Sequence, residues 1–245
     1  MDRPVNSDSP TFSPLYQQIR ELMMRSLESD EWGPGQVIPT ELELAKRYGV
    51  SQGTVRKAID ELVALHLLVR RQGKGTYVAA HDDASAFRFL RVRANEGGRQ
   101  AVSRIPLECR RAKAGAAVAR NLGIEIGAPI VIVRRLLRFG GEPIVLDEIY
   151  LPGVLFSDLT LDILKESDLP LYTLFESRYG VRMIRAEERL SAVVADRISA
   201  EFLEVSEGSP LLLVERVAYG YGDRPAEWRR GFYLTRNFHY HNELA

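Results

Sequence analysis

Between Ser13 and Val78 the apolar positions change period more than once. Leu15, Ile19, Leu22, Met23 and Leu27 recur at helical spacing after Ser13-Pro14, a cap followed by a first-turn proline. Trp32-Gly33-Pro34-Gly35 then turns the chain, with Trp32 covering a small core. Leu42, Leu44 and Ala45 form the apolar face of a second, shorter helix, for which Thr40 is a good N-cap and Glu43 completes a capping box. Tyr48-Gly49-Val50 ends that helix, because glycine accepts the left-handed conformation of a helix terminus. Ser51 then caps a third helix with Val55, Ala58, Ile59, Leu62 and Leu65 on one side. Two β-prone runs, Leu67 to Arg71 and Thr76 to Val78, flank Gln72-Gly73-Lys74-Gly75, which predicts a hairpin.

Met1 to Thr11 and Ala79 to Ala86 carry small and polar residues without apolar period; they predict a disordered arm and an interdomain linker. Beyond them the pattern repeats. Gly127-Ala128-Pro129-Ile130-Val131-Ile132-Val133-Arg134-Arg135 aligns with Gly208-Ser209-Pro210-Leu211-Leu212-Leu213-Val214-Glu215-Arg216, an offset of about 81 positions. An Ala-rich helical segment precedes each copy, Ala112 to Leu122 and Ala192 to Leu203. A glycine turn and a second strand follow each, Ile144 to Leu151 and Ala226 to Leu234. Two copies of helix, strand, hairpin turn and strand predict one antiparallel sheet with helices packed on it and pseudo-twofold character. Between the copies, Asp168 is placed to cap a helix with Pro170 in its first turn and Leu171, Tyr172, Leu174 and Phe175 on its apolar side, ending at Tyr179-Gly180.

The 245 residues suffice for two cores, and the formal net charge is zero. Local charge differs: Lys46, Arg47, Arg56, Lys57, Arg70, Arg71 and Lys74 crowd the helix pair and the hairpin. The exposed start of the third helix, with Gln52, Gly53, Thr54, Arg56 and Lys57, suits a recognition helix, and Lys74 at the hairpin tip suits a wing. A single cysteine, Cys109, excludes an intramolecular disulfide and a Cys-rich zinc site; it reads as an ordinary buried thiol in a reducing, cytoplasmic setting. No apolar run approaches a membrane span. His66, His81, His239 and His241 are scattered, and Gly73-Lys74-Gly75-Thr76 lacks the leading glycine and following helix of a phosphate loop, so no metal, cofactor or catalytic constellation is implied.

Pro14-Leu15-Tyr16-Gln17-Gln18-Ile19, Ile38-Pro39-Thr40-Glu41, Tyr48-Gly49-Val50-Ser51, Thr54-Val55-Arg56 and Gln72-Gly73-Lys74-Gly75-Thr76 resemble the winged helix-turn-helix domain of the GntR family of bacterial transcriptional regulators. The following half is similar to the UTRA effector domain of the HutC branch, whose fold is like that of chorismate lyase. That similarity rests on the Gly-x-Pro strand starts, Arg135 before a Gly-x-Pro hairpin, Tyr150-Leu151-Pro152, Leu171-Tyr172 and Tyr179-Gly180.

The resemblance implies a two-domain chain: a mostly helical winged helix-turn-helix with a β-hairpin wing over residues 12–78, a linker over 79–86, and an α+β antiparallel-sheet domain over 87–245 that binds an effector and dimerises. It implies a repressor that leaves a pseudo-palindromic double-stranded DNA operator when a small molecule binds, with no membrane association. Residues assigned to DNA are Thr40, Ser51, Gln52, Thr54, Arg56, Lys57, Arg70, Arg71, Gln72, Lys74 and Thr76. Those carried over to the effector are Arg135, Asp147, Glu227 and Tyr233. The plainer alternative is that Arg135 pairs with Asp147 or Glu148 across the hairpin and binds nothing. An enzyme with an appended DNA-binding domain is the competing class, since a chorismate-lyase-like fold can perform chemistry.

The chain departs from the family's pattern in ways that bear on specificity. Gln52 stands where an arginine is usual, and Leu42 where a charged residue is common; arginine reads guanine whereas glutamine suits adenine. Leu137 replaces a frequent second arginine and Pro170 a frequent serine. Both changes remove groups suited to phosphate and favour a small carboxylate or amino-acid-like effector over a sugar phosphate. In duplex-binding titrations, Gln52→Arg should change the preferred sequence. Lys74→Ala and Arg71→Ala should weaken binding to every sequence and flatten the salt dependence by about 0.9 per lost phosphate contact.

Overall fold

A computed structural model of the protein describes residues 13–65, 67–79, 91–96 and 101–242. The predicted arm, His66, His81, most of the predicted linker and its junction at Phe87 lie outside the described residues. The chain divides into two compact units, Met1–Ala80 and His81–Ala245.

The first unit has helices α1 (Leu15–Glu28), α2 (Glu41–Tyr48) and α3 (Gln52–Ala64), and a hairpin of β1 (Leu68–Arg71) and β2 (Gly75–Val78). Its local signals act as predicted. Thr40 and Glu43 form a reciprocal capping box, Gly49 is left-handed at φ 66°, and the Ser51 side chain accepts from the Thr54 backbone N–H. The helices and the hairpin make the unit a winged helix-turn-helix, and a single Val37–Tyr77 bridge ties the preceding loop to β2. Ile19, Met23, Leu27, Trp32, Leu44, Val55, Ala58, Ile59 and Leu62 are buried.

Four apolar positions differ from the predicted faces: Leu15, Leu22, Leu42 and Leu65 are exposed, Leu42 to 69 %. Periodicity identified the helices but overstated the width of their buried stripes. Ser13 does not cap α1; Pro14 occupies that position without a side-chain cap.

The second unit is built on a six-stranded antiparallel sheet in the order β4-β5-β6-β9-β8-β7. Its strands are β4 (Val102–Lys113), β5 (Pro129–Phe139), β6 (Glu142–Pro152), β7 (Arg185–Val194), β8 (Pro210–Tyr219) and β9 (Pro225–Tyr233). Short strands β3 (Val92–Ala94) and β10 (Phe238–Tyr240) pair as a separate ribbon. Helices α4 (Ala116–Leu122), α5 (Leu161–Glu166), α6 (Leu171–Tyr179) and α7 (Arg197–Leu203) complete the unit.

The sequence repeat reappears as repeated hydrogen bonding. Gly127 N–H donates to Ala114 O and Ala114 N–H to Ala128 O; Gly208 N–H donates to Ala195 O and Ala195 N–H to Ser209 O, all at 2.8 to 2.9 Å. Gly127 and Gly208 have φ values of 85° and 83°, left-handed in both copies. The repeated unit is nevertheless strand, helix, strand, strand, one strand longer than predicted. The Ala-rich segments begin inside β4 and β7, and only residues 116–122 and 197–203 are helical. Pairing of β6 with β9 joins the two copies at the centre of the sheet.

The two sheet faces are covered differently. Val131, Val133, Ile149 and Leu151 pack with Leu164, Leu171, Leu174 and Phe175 of α5 and α6, and the same face farther along holds Leu137, Val145 and Tyr233 with Val92 and Phe238 of the ribbon. The opposite face takes α4 on Ile130, Ile132 and Trp228, and α7 on Leu136 and Leu146. Between those helices runs a row of in-register partners whose charge alternates across all six strands: Glu108, Arg134, Glu148, Arg230, Glu215, Arg189. Each half-exposed pair adds little stability, but a one-residue slip of any strand would break the alternation, so the row specifies register.

Gly153, where β6 leaves the sheet, donates its N–H to Pro129 O at 2.8 Å, and a Cβ there would stand 2.8 Å from that oxygen. Gly153→Ala must move backbone, so a loss of about 1–3 kcal/mol is expected in urea denaturation.

Candidate nucleic-acid interface and ligand cavity

The N-terminal half of α3 presents Gln52, Arg56 and Lys57 to solvent, as its buried face at Val55, Ala58 and Ile59 requires. Thr40, Ser51 and Thr54, also assigned to DNA, are engaged in caps. Thr40 Oγ1 donates to Glu43 Oε2 at 2.8 Å, and the Ser51 and Thr54 hydroxyls lie 2.8 Å apart. Thr40's backbone and side-chain hydrogen bonds hold the Glu43 carboxyl below its ordinary range. On the wing, the Arg71 guanidinium lies over the Tyr77 ring at 4.5 Å, and the Tyr77 hydroxyl donates to Lys74 O at 3.1 Å, so Tyr77 shapes the turn that carries Lys74. Lys57 Nζ sits 3.8 Å from the centre of the Tyr16 ring. Gln72 and Thr76 lie on the same hairpin, Thr76 paired with Arg70. Arg56, Arg70 and Gln52 all reach Glu41, a residue the sequence did not single out for a role at the interface.

In the second unit a cavity of about 220 Å³ opens between β4–β5 and the α5–α6 connection. Its polar lining is Arg104, Arg135, Ser167 and Asp168; Pro106, Val133, Leu164, Leu169, Leu171 and Leu174 supply apolar walls. Arg104 is the cross-strand neighbour of Leu137 and Pro106 that of Arg135, so the two guanidiniums sit diagonally on one face.

Behind the cavity wall the charges are buried. Arg135 Nε donates to Asp147 Oδ2 at 2.8 Å, and Arg229 Nη1 reaches the same oxygen at 3.2 Å. Arg229 also forms a two-pronged pair with Glu227 at 2.9 Å, and Glu227 accepts from the Tyr172 hydroxyl of α6 at 2.8 Å. Arg216 stands beside that phenol and donates to Glu188 at 2.6 Å; Glu188 in turn accepts from Tyr240 of the ribbon. Burial alone pushes the Asp147 carboxyl up, but Arg229 and Arg135 outweigh it and hold the group below its ordinary range. Burial first, then Arg229, pushes Arg135 down against the pull of Asp147. Burial and Glu227 raise the Tyr172 hydroxyl to about 12.

Of the four residues carried over to the effector, Arg135 lines the cavity and Asp147 supports it from behind. Glu227 lies farther along the buried chain. The Tyr233 ring covers Gly231, where a Cβ would stand 2.5 Å from it and 3.0 Å from Asp147 Oδ1. The cross-hairpin pairing of Arg135 with Asp147 is present, as is that of Arg134 with Glu148 at 3.0 Å.

Sequence reasoning passed over Arg104, Asp168 and Arg229. The two-residue period that links Glu227 to Tyr233 runs through Arg229, so that signal was available. Arg104 lies on β4, a strand hidden by its charges and by a bulge between Pro106 and Glu108. Asp168 does not cap α6; Pro170 holds that position, which leaves Asp168 in the cavity lining. Cys109 is half-buried, its thiol near Leu159 O at 3.5 Å and pushed up by burial. His239 Nδ1 faces Asn95 Oδ1 at 2.9 Å. Among the described residues no group of three His, Cys, Asp or Glu side chains is arranged for a metal, and no helix is long and apolar enough to cross a membrane.

The model for bacterial regulatory proteins of the gntR family matches residues 15–78, and that for the UTRA domain matches residues 96–239. The chain is 29 % identical over 213 residues to the Escherichia coli (strain K12) protein named "Probable fructoselysine utilization operon transcriptional repressor", covering 86 % of each. It is 29 % identical over 215 residues to the HTH-type transcriptional regulator SmoD of Agrobacterium fabrum, covering 87 % of this chain and 89 % of that one. A solved ligand-binding domain assigned to a GntR-family transcriptional regulator of Bordetella bronchiseptica is 47 % identical, with a TM-score of 0.62 over 63 % of this chain and 96 % of that one. All three carry the name of a transcriptional regulator or repressor.

Asp147→Asn leaves Arg135 and Arg229 short of a buried counter-charge, and a loss of about 3–5 kcal/mol at neutral pH is expected. Because the Asp147 pKa is depressed on folding, its contribution is present above the ordinary carboxyl pKa and fades as pH falls through the depressed value. The difference between thermal melts of the variant and the parent chain should therefore begin to shrink as pH falls below about 4 and close only below the depressed value.

Proposed function

Since the chain belongs to the GntR family of bacterial regulatory proteins and carries a UTRA domain, we propose that it is a homodimeric repressor of the HutC type, released from its operator by a small amino-acid-like carboxylate. In this reading residues 12–78 read DNA and residues 87–245 sense the effector and dimerise. A pseudo-palindromic operator needs two recognition helices about 34–36 Å apart, and each protomer supplies one. The ligand acts through its different affinity for two arrangements of these heads, with residues 79–86 as the adjustable joint. A reducing cytoplasm suits the single free Cys109.

The observation that carries the ligand class is the charge balance of the cavity. Arg135 is matched by Asp147, whose Oδ2 also takes Arg229, and it still presents its guanidinium to the cavity, where a ligand carboxylate can share it. Arg104 and Asp168 add one charge of each sign to the lining. A small zwitterion satisfies this set, with its carboxylate on Arg104 and Arg135 and its ammonium on Asp168. A phosphate dianion would bring two negative charges to a lining that already holds a carboxylate. The volume, about 220 Å³, is below the 300–1,000 Å³ typical of drug-sized ligands. The name of the Escherichia coli relative, which refers to utilization of an amino-acid conjugate of a sugar, is compatible with such a class.

A thermal-shift screen of full-length protein with amino acids, carboxylates and sugar phosphates should give hits among the first two. The same hits should release labelled duplex, and Arg104→Gln should abolish both effects. Asp168→Asn should weaken ammonium-bearing hits about tenfold, a cost of about 1.4 kcal/mol, and spare simple carboxylates. Sugar phosphates as the tightest ligands would overturn the ligand class. A monomer in sedimentation at duplex-binding concentration would overturn the dimer.

A further inference from the structure

Glu41, the first residue of α2, gathers side chains from both DNA-reading elements. Arg56 of α3 donates through Nε at 2.9 Å and lies 2.8 Å away through Nη2, both to Oε2. Arg70 of the wing reaches Oε1 at 3.3 Å, and Gln52 Nε2 lies 3.4 Å from Oε2. Arg70 also pairs with Asp60 at 2.8 Å. The Glu41 carboxyl is held below its ordinary range, chiefly by the hydrogen bond from Arg56 despite partial burial, so it is ionised at neutral pH.

A single exposed ion pair would carry little weight, and Arg56 and Arg70 are 57 % and 44 % exposed. Here, however, one carboxylate that is itself only 21 % exposed takes donors from two separate elements. Two consequences follow. The guanidiniums of Arg56 and Arg70 are already neutralised, so a DNA phosphate gains less from either than from a bare cation. And because one N–H of the Gln52 amide points to Glu41, its other N–H and its Oε1 remain for a base edge, the donor and acceptor that adenine requires.

We infer that Glu41 is a specificity-determining positioning residue: it orients Gln52 for base reading and suppresses sequence-independent phosphate binding by Arg56 and Arg70. This rests on the DNA-reading assignment of the first unit. A purely structural role, a carboxylate in the first turn of α2 favouring the helix dipole, predicts changes in stability alone.

The test uses full-length protein and two duplexes, one selected by the parent chain from a random library and one scrambled. Glu41→Gln should bind the scrambled duplex about tenfold more tightly at low salt, with a log–log salt slope steeper by about 0.9 for each phosphate newly engaged. The ratio of selected to scrambled affinity should fall, and a fresh selection with the variant should give relaxed base preference. Glu41→Asp keeps the charge but shortens the reach, and should relax base preference while leaving scrambled-duplex affinity near the parental value. An unchanged slope and ratio in Glu41→Gln, with or without a lower melting temperature, would overturn the inference, as would equal loss on both duplexes. Failure of the parent chain to select any duplex would instead overturn the DNA-reading assignment.

Discussion

Three guanidiniums, those of Arg135, Arg216 and Arg229, are buried or nearly so on the covered face of a β-sheet, and the second unit is arranged around that constraint. A buried charge is tolerated only with a partner and hydrogen bonds to its remaining groups. Asp147, Glu227 and Glu188 supply the partners, equal in number to the arginines. The bond from Arg229 to Asp147 spans 82 positions in sequence and exists only because β9 lies beside β6. The joint between the two repeat copies is thus also the place where the charges are matched. Tyr172 of α6 and Tyr240 of the ribbon complete the set at its ends, so seating those elements on the sheet is tied to the same electrostatics as the cavity wall.

The contrast with the opposite face shows what burial adds. There the alternating row from Glu108 to Arg189 is made of register neighbours, partly open to solvent, and its function is to pin strand alignment. On the covered face the partners are not all register neighbours. Gly231 stands opposite Asp147, and the ion pairs step diagonally around it to Arg229 and Glu227. A side chain at Gly231 would meet both Asp147 and Tyr233, so the glycine provides the space through which the buried chain of charges runs.

This difference accounts for what was legible in the sequence. The first unit could be read almost residue by residue because its determinants are local: Thr40 with Glu43, Gly49, and Ser51 with Thr54 each act within three positions. The repeat was legible because the tight turn at Gly127 and Gly208 demands the same residue types twice. By contrast β4 and β7 are edge strands, charged and half-exposed, with neither apolar alternation nor a neighbouring glycine turn to announce them. Arg104 and Asp168 come to line one cavity only in the folded chain, one from an edge strand and one from the connection before α6. The strand face of Arg135 was legible from its position, but whether it would be paired was decided by Asp147, Arg229 and their burial, none of which periodicity reports.

The two candidate sites share one physical device. In the first unit Glu41 occupies Arg56 and Arg70; in the second, Asp147 occupies Arg135. Neither set of cations is bare, so on the proposed readings binding at either site is an exchange of one counter-charge for another. Exchanges of this kind gain little from charge alone, because the incoming anion replaces or shares an interaction that already exists. The net gain must come from geometry: a base edge that uses the remaining amide groups of Gln52, or a ligand whose opposite charge also meets Asp168. A bare arginine cluster would bind phosphates and metabolites broadly and weakly distinguish among them. Pre-neutralised arginines give up part of that affinity and leave a larger share of what remains to shape, which is the balance a regulator needs if it must ignore most of the DNA and most of the anions it meets.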